Sequence, residues 1–373
     1  MTVSNANPLL KNKVLRNSSI ELCRILSMLM IVACHFATHG DFNFDKTSIT
    51  IPRLWWHFIE MGGNFGVDVF ILISGYFLIN DTKLTINLRK CLKLWGQIFI
   101  YSICIYIFGL LTGIIKFSSI QLAKALFPIT TGAWWFSTTY FVLFLIHPYL
   151  NMLLNNLEKR QYQNYLALLL LIWCIIPTFT TYSLASNPLL EFVLFYSIAG
   201  YIRLYGFGKK LKSKHFLYLW LLTTALTFLS SIVLMVIGRR VSLFSEHTLL
   251  FYGRRSLPTL LRAVFFFMIF ERMTIPHNKY INLISSTAFG VYLIHDSKII
   301  RPWLWKTVFV NNQYQASLII IPYSLVVVIV VYIVCSIIDL IRSHTVEPLF
   351  MRIVNGRADK LLQPLKAIMK HLR

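Results

Sequence analysis

Ten mainly apolar segments, each 18 to 27 residues long, follow one another along the chain. They lie at 18–38, 55–79, 94–115, 134–154, 162–180, 188–205, 215–237, 256–273, 280–297 and 315–341. A helix needs about 20 apolar residues to cross the hydrocarbon core of a bilayer. Only 13% of the residues are charged, against about 25% in soluble domains. The pattern predicts an all-α, polytopic integral membrane protein with about ten transmembrane helices.

The polar segments between these runs differ in their content of Lys and Arg. If the N-terminus lies inside the cell, the cytoplasmic segments hold 23 of these residues and the outer segments hold 11. Because Lys and Arg are enriched in cytoplasmic loops, both termini are predicted to be cytoplasmic. The chain then divides into an N-terminal tail (1–17), a membrane domain (18–341) and a basic C-terminal tail (342–373). We expect a multi-pass protein of the cell membrane.

The formal net charge of the chain is +22. In a membrane protein, such an excess is explained by attraction to anionic headgroups of the lipid bilayer, so we expect no nucleic acid partner. One outer segment, 238–255, goes against the general distribution because it holds four arginines. Either a helix boundary is misplaced there, or the segment forms a positively charged outer mouth for an anionic substrate.

The first apolar segment carries three polar residues, Glu21, Arg24 and His35. A charged side chain at the bilayer centre costs about 3 kcal/mol or more, so its position needs an explanation. The eleven residues from Arg24 to His35 place the two side chains within roughly 20° of each other on a helix, about 16 Å apart along the axis. Glu21 shares this face, one turn before Arg24. The stripe must therefore face protein or a wet cavity.

The chemistry of this stripe points to a functional site. Near the cytoplasmic interface, the guanidinium of Arg24 suits a phosphate of a cytoplasmic cofactor. In the outer half, a neutral imidazole at His35 could remove a proton from a hydroxyl or act as a nucleophile. Alternatively, Glu21 and Arg24 form an interfacial pair and His35 binds a neighbouring helix. The shared face favours function.

The second apolar segment contains a cluster of glycines that we expect to interrupt its helix. The cluster comprises Gly62, Gly63 and Gly66. A regular helix is then predicted from about Val67. Asp68 would lie near the depth of His35 and could either orient the imidazole or cap the helix. At the inner end of this segment, Ser74 and Tyr76 supply hydroxyl groups, and Gly75 allows a close approach of helices.

Two later segments carry further candidates. Trp135 begins an aromatic cluster at the outer interface, where such clusters are usually anchors. Tyr292 and His295 lie three residues apart on one helix face, and Arg301 follows them. A His–Tyr pair inside a membrane is more often a packing hydrogen bond than a site. His147, before a proline, is predicted to be structural.

Together these segments resemble the acyltransferase family 3 membrane proteins, which modify surface polysaccharides and other acceptors outside the cytoplasm. The resemblance rests on four landmarks in family order: Glu21 with Arg24-x10-His35, Phe70-x3-Ser74-Gly75-Tyr76, Trp135-Phe136 to Pro148-x2-Asn151, and Phe289-Gly-x-Tyr292-x2-His295. They extend over most of the chain, and the third landmark and the stretch through Arg301 look most like members from Gram-positive capsule or exopolysaccharide loci.

The resemblance implies transfer of an acyl group, usually acetyl, from cytoplasmic acyl-CoA to a hydroxyl of a cell-surface or exported polysaccharide or a lipid-linked glycan. Arg24 would serve acetyl-CoA binding or site organisation, with Glu21 beside it, and His35 would be the essential histidine. The residues expected to line or support the substrate site are Asp68, Ser74, Gly75, Tyr76, Trp135, Tyr292, His295 and Arg301. We expect no metal.

Three other functions fit less well. A transporter or flippase of lipid-linked sugars would use the stripe as a substrate or proton pathway, and a sensing or tethering module would need a fused domain. A membrane-bound O-acyltransferase of the other architecture would carry its histidine later in the chain. The tail after 341 is expected to be too short for the SGNH-type esterase domain of some relatives, so a soluble relay partner would be a separate protein.

Overall fold

A computed structural model describes residues 16–45, 48–180, 182 and 187–356. Within these ranges the chain forms helices and no β-strand. The helices are α1 (Ser18–His39), α2 (Ile51–Glu60), α3 (Gly62–Leu78), α4 (Leu88–Leu111), α5 (Ser119–Leu126), α6 (Trp135–Asn155), α7 (Lys159–Leu170), α8 (Ile176–Thr180), α9 (Pro188–Tyr205), α10 (Ser213–Gly238), α11 (Ser242–Glu246), α12 (Leu257–Glu271), α13 (Lys279–Ser286), α14 (Ala288–His295), α15 (Ile300–Trp303) and α16 (Ile320–His344). A π-helical turn, Leu171–Ile175, joins α7 to α8.

Helices occupy all ten predicted segments, and the all-α polytopic membrane fold is confirmed. In the described part of the chain, seven helical segments are long and apolar enough to cross a bilayer. The others fall short for different reasons: α9 carries Glu191 and Arg203, α12 has 15 residues, and the ninth predicted segment is divided into α13 and α14. The number of about ten crossings and the cytoplasmic position of both termini stay predictions.

Helix α1 lies in the middle of the bundle and positions the site. It packs against α2, α3, α12, α13, α14 and α16. The side chain of Asn17 starts α1 by accepting hydrogen bonds from the backbone N–H groups of Ser19 and Ile20, which would otherwise lack partners. Val32 and Phe36 are fully buried in the core. A helix surrounded by protein can carry polar groups without exposing them to lipid.

The second segment divides into a short helix and a longer one, as predicted, but the break lies at Met61 and not just before Val67. Helix α2 ends at Glu60, and α3 begins at Gly62 and runs through all three glycines. They are helical because α3 packs closely on α1: a Cβ at Gly66 would lie 2.9 Å from the carbonyl oxygen of Ser27, and one at Gly63 would lie 2.5 Å from the Cβ of Cys34. The glycines therefore permit a helix contact instead of a break.

The ninth predicted segment, 280–297, is broken at Thr287 into two helices of eight residues each. The Thr287 hydroxyl stabilises the break by donating to the carbonyl oxygen of Ile284 at 2.7 Å, and Ser336 Oγ of α16 lies 3.0 Å from the same hydroxyl oxygen. The two short helices lie against different levels of α1. They supply most of the side chains that meet its polar stripe.

The predicted tails lie mostly beyond these helices. Residues 1–15 of the N-terminal tail and 357–373 of the C-terminal tail are outside the described residues. The start of the C-terminal tail is helical and pairs with α4: Arg342 binds Asp339 at 2.7 Å and Glu347 at 2.8 Å, and Lys93 binds Glu347 at 2.6 Å. These ion pairs hold the beginning of α4 against the end of α16.

Candidate active site

Two histidines that are 260 residues apart in the sequence meet between α1 and α14. His35 Nδ1 lies 2.9 Å from His295 Nε2, and the ring centroids are 5.1 Å apart. His295 is fully buried, whereas 19% of the His35 side chain is exposed. Of the two imidazoles, His35 is therefore the one that a substrate can reach.

The hydrogen bonds around these rings determine which nitrogen of His35 is available. His295 Nδ1 lies 2.6 Å from the carbonyl oxygen of Val291, and a carbonyl can only accept, so this nitrogen carries the proton. In a neutral ring, His295 Nε2 must then accept a hydrogen bond from His35 Nδ1–H. This arrangement leaves a lone pair on His35 Nε2, the form that a general base or nucleophile requires.

A carboxylate and two further basic groups surround this pair. Asp296 Oδ1 lies 3.7 Å from His35 Nδ1 and 3.8 Å from His39 Nε2. Arg301 approaches the same oxygen at 3.3 Å and the His39 ring nitrogen at 3.5 Å. The Asp296 carboxylate can stabilise positive charge that develops on His35 when it takes a proton, and the contact with Arg301 orients the carboxylate.

The same group of side chains has the geometry of a cation site. One ligand atom each from His35, His39 and Asp296 lies within 4.8 Å of the others. The guanidinium of Arg301 already contacts the carboxylate and one imidazole of this group, so it opposes the entry of a second cation. The ligand atoms therefore suit a metal ion, but the positive charge of Arg301 beside them opposes its binding.

The other end of the α1 stripe is bound to α13. Glu21 is buried, forms an ion pair with Arg24 at 3.3 Å and accepts a hydrogen bond from Ser285 Oγ. The Arg24 side chain keeps 27% of its surface exposed. The expectation that the stripe faces protein is met at both ends. Glu21 orients Arg24 without enclosing it, so its remaining N–H groups can reach a ligand.

Ser74 and Gly75 lie on α3, away from the two histidines. Ser74 Oγ donates to Tyr140 of α6, with 3.2 Å between the oxygens. A Cβ at Gly75 would lie 3.0 Å from the Cβ of Ala199, so the glycine allows α3 to approach α9 closely. These contacts give both residues a clear role in helix packing. Their predicted place in a substrate site stays untested.

Tyr76 belongs to a polar cluster at the end of α3. Its hydroxyl accepts a hydrogen bond from Arg203 at 3.0 Å and donates to Glu271 at 3.2 Å. The Arg203 guanidinium also lies over the Tyr76 ring, 4.8 Å from its centroid. This cluster lies at the end of α3 that is predicted to be cytoplasmic.

Tyr292 is part of the support for His295. The side chain is buried, and its ring lies 5.3 Å from that of Phe136 and 6.4 Å from that of His295, both edge to face. Such contacts restrict the position of the imidazole. The tyrosine thus joins the aromatic landmark of α6 to the histidine pair.

Trp135 lies at the edge of the bundle with 39% of its surface exposed. The guanidinium of Arg254 stacks on its ring at 4.1 Å and lies 3.7 Å from Glu191. Arg255 binds the same carboxylate at 2.5 Å. Two arginines of the basic segment 238–255 are therefore bound to a carboxylate of α9, so their charge is partly compensated.

Asp68 is buried within α3, six residues after its first residue, so the helix-cap interpretation is wrong. Its Oδ2 atom has no hydrogen-bond partner among the described residues. The charged groups that interact electrostatically with the Asp68 carboxyl are Arg254, Glu191 and Arg262. The carboxylate that approaches His35 is Asp296 instead, because the chain turns back toward α1 after α14.

Sequence reasoning missed His39 and Asp296. A signal existed for His39, which follows His35 by four residues and so lies on the same helix face. Asp296 directly follows His295, and adjacent residues of a continuous helix do not share a face. It enters the site because α14 ends at His295 and the backbone leaves the helix there. His147 Nδ1 lies 2.5 Å from the carbonyl oxygen of Phe144, which gives it the structural role that was predicted.

Comparison with known proteins decides the family. The family model of acyltransferase family 3, described as an acyltransferase domain, matches residues 17–339. The chain belongs to this family. No curated protein and no solved structure gives a match. As a member with seven membrane-length helices in its described part, this family 3 chain is a membrane acyltransferase.

Proposed function

We propose that the protein transfers an acetyl group from cytoplasmic acetyl-CoA to a hydroxyl of a cell-surface or exported polysaccharide. The single observation that supports this most is the chain from Val291 through His295 to His35, which leaves a lone pair on His35 Nε2. O-acyl transfer to an alcohol needs such a base, because the hydroxyl must lose its proton as it attacks the thioester.

On the donor side, we assign the acyl-CoA phosphates to Arg24. Its guanidinium is oriented by Glu21, remains partly exposed and can form paired hydrogen bonds to phosphate oxygens. The two charged levels of α1 would then divide the donor between them, with the phosphates at Arg24 and the thioester near His35. The cluster of Tyr76 and Arg203 supplies a further cation at the end of α3 predicted to be cytoplasmic.

The chemical step follows from this arrangement. His35 Nε2 takes the proton of the acceptor hydroxyl while the hydroxyl oxygen forms a bond to the thioester carbonyl carbon. The tetrahedral intermediate then expels the CoA thiolate, which recovers the proton from His35, so that the products are an ester and free CoA. While it is protonated, His35 is stabilised by Asp296, 3.7 Å from Nδ1. In an alternative route, the same lone pair attacks the thioester carbonyl carbon and expels the CoA thiolate, which leaves an acyl-histidine. The acceptor hydroxyl then attacks this acyl group, His35 leaves as the free imidazole, and the hydroxyl proton goes to the thiolate.

The proposal is tested with purified protein in nanodiscs, radiolabelled acetyl-CoA and polysaccharide from the host envelope. We expect His35→Ala to lower the rate of labelled ester formation by at least about 100-fold, the lower end of what a general base contributes. His277→Ala is the matched control, since this exposed histidine lies outside the site. Wild-type protein that moves lipid-linked sugar without consuming acetyl-CoA would instead indicate a transporter.

The two chemical routes are separated by omitting the acceptor. Label retained on the protein and lost in His35→Ala would support the acyl-histidine route. Absence of retained label, together with a rate law that requires both substrates at once, would support direct transfer.

A further inference from the structure

A cavity of about 410 Å³ lies against the segment that follows His295 and Asp296 in the chain. Its walls come from the later half of α4, from α5 and from the segment 297–303. Ser297 directly follows Asp296, so the segment that forms one wall also carries the carboxylate of the site. The volume is within the range of small-molecule pockets, about 300–1,000 Å³.

The lining combines aromatic rings with a few polar side chains. Trp134, Trp303 and Tyr106 line the cavity, and Gln121 adds a side-chain amide. Aromatic faces with a few polar groups suit the apolar face and the hydroxyls of a sugar ring.

Two lysines give the cavity its charge. Lys124 of α5 and Lys298 of the opposite wall both line it, and no acidic residue is present among the lining residues. Neither ammonium group forms an ion pair with any residue that the structure describes. Uncompensated positive charge at the edge of an apolar cavity attracts an anion.

We propose that this cavity binds the acceptor and that the acceptor is an acidic saccharide, with its carboxylate or phosphate at Lys124 and Lys298. The inference rests on the proposed function, because the segment 297–303, which forms one wall of the cavity, continues directly from Asp296 of the candidate site. The aromatic rings hold the sugar ring against the wall of the cavity.

The test measures binding without acyl transfer. Protein in phosphatidylcholine nanodiscs is titrated with three probes: methyl β-D-glucoside, methyl β-D-glucuronide and glucose 6-phosphate. Saturation-transfer difference NMR measures the binding of each probe. We expect at least one of the two anionic sugars to bind about tenfold more tightly than the neutral one, as one charge-assisted contact provides. The double variant K124Q/K298Q should lose this preference and keep its affinity for the glucoside.

Lys116→Gln is the matched control, because Lys116 is an exposed lysine on the connection before α5 and does not line the cavity. His35→Ala should bind all three probes as the wild type does. Equal affinity of the wild type for the neutral and both anionic sugars would overturn the proposal. It would also be overturned if phosphatidylglycerol nanodiscs abolished the preference, since the cavity would then bind a lipid headgroup. If the wild type bound the anionic sugars in this way but transferred no acetyl group, only the proposed function would be rejected.

Discussion

Gly290 of α14 lies directly against the side chain of Asp339 of α16. A Cβ at this glycine would lie only 2.6 Å from the Cβ of Asp339. Asp339 in turn accepts hydrogen bonds from Tyr101 and Arg342, each at 2.7 Å. The glycine thus lets α14 approach a buried carboxylate that joins α4 to α16, and His295 sits five residues further along the same short helix.

The first prediction concerns this contact. Gly290→Ala should destabilise the protein by about 1–3 kcal/mol, because the added methyl group overpacks a rigid region. It should also lower the rate of acyl transfer by displacing His295. Thermal unfolding and initial rates in detergent measure the two effects. Gly253→Ala, where no atom lies within 4 Å of the new Cβ, should change neither. Unaltered activity and stability in Gly290→Ala would contradict the prediction, because α14 and α16 would then move apart without cost to make room for the methyl group.

The second prediction assigns His295 a positioning role. His295→Ala should lower kcat by about 100-fold with little change in KM, because His35 loses the acceptor that fixes its Nδ1–H. His295→Gln retains an acceptor oxygen and should recover part of this loss. The pH profile of kcat should change in the alanine variant, because His35 then titrates without its partner. A merely structural role would lower the amount of folded protein and leave the profile of the remainder unaltered.

The third prediction concerns the cation geometry of His35, His39 and Asp296. Wild-type protein should keep its activity in EDTA and should not be inhibited by micromolar Zn²⁺, because the positive charge of Arg301 opposes the binding of a metal ion. Arg301→Gln removes this charge and should make the enzyme sensitive to Zn²⁺, an ion that favours imidazole and carboxylate ligands. Inhibition curves with and without chelator provide the measurement. Loss of wild-type activity in EDTA would mean that a metal takes part after all.

The fourth prediction concerns donor binding. Arg24→Lys keeps the charge but loses the planar pair of donors, so KM for acetyl-CoA should rise about tenfold while KM for the acceptor is unchanged. Arg352→Lys, a change of the same kind at an exposed position, is the control. Initial rates over a grid of both substrate concentrations separate the two constants. A rise in the acceptor KM alone would move Arg24 from the donor side to the acceptor side.

The helical fold and the buried stripe of α1 could be predicted because both depend on local spacing. Helical period alone puts Glu21, Arg24 and His35 on one face, and the cost of burying charge requires a protein partner. The partners themselves, Ser285 and His295, could not be assigned because they come from residues about 260 positions away. Period within one helix says nothing about which neighbouring helix will face it.

The glycines of α3 show the opposite limit. Gly63 and Gly66 lower the local preference for a helix, so the sequence favours an interruption. The contact with α1 reverses this preference, because only a residue without Cβ lets the two backbones come so close. Similarly, Asp296 joins the site through the end of α14, whereas Asp68 stays inside α3. Tertiary packing decides both cases, and the contacts between helices cannot be deduced from the spacing of residues in a single sequence.

Helix α1 also fixes the distance that the proposed donor must span between Arg24 and His35. Its rise of about 1.5 Å per residue is nearly invariant, so the guanidinium and the imidazole of its two polar levels cannot be brought together by side-chain motion alone. If the donor binds at both levels, as proposed, a small donor such as acetyl phosphate, in which the anion adjoins the carbonyl, is too compact to reach both. A donor with a long flexible arm between its phosphates and its thioester would span them.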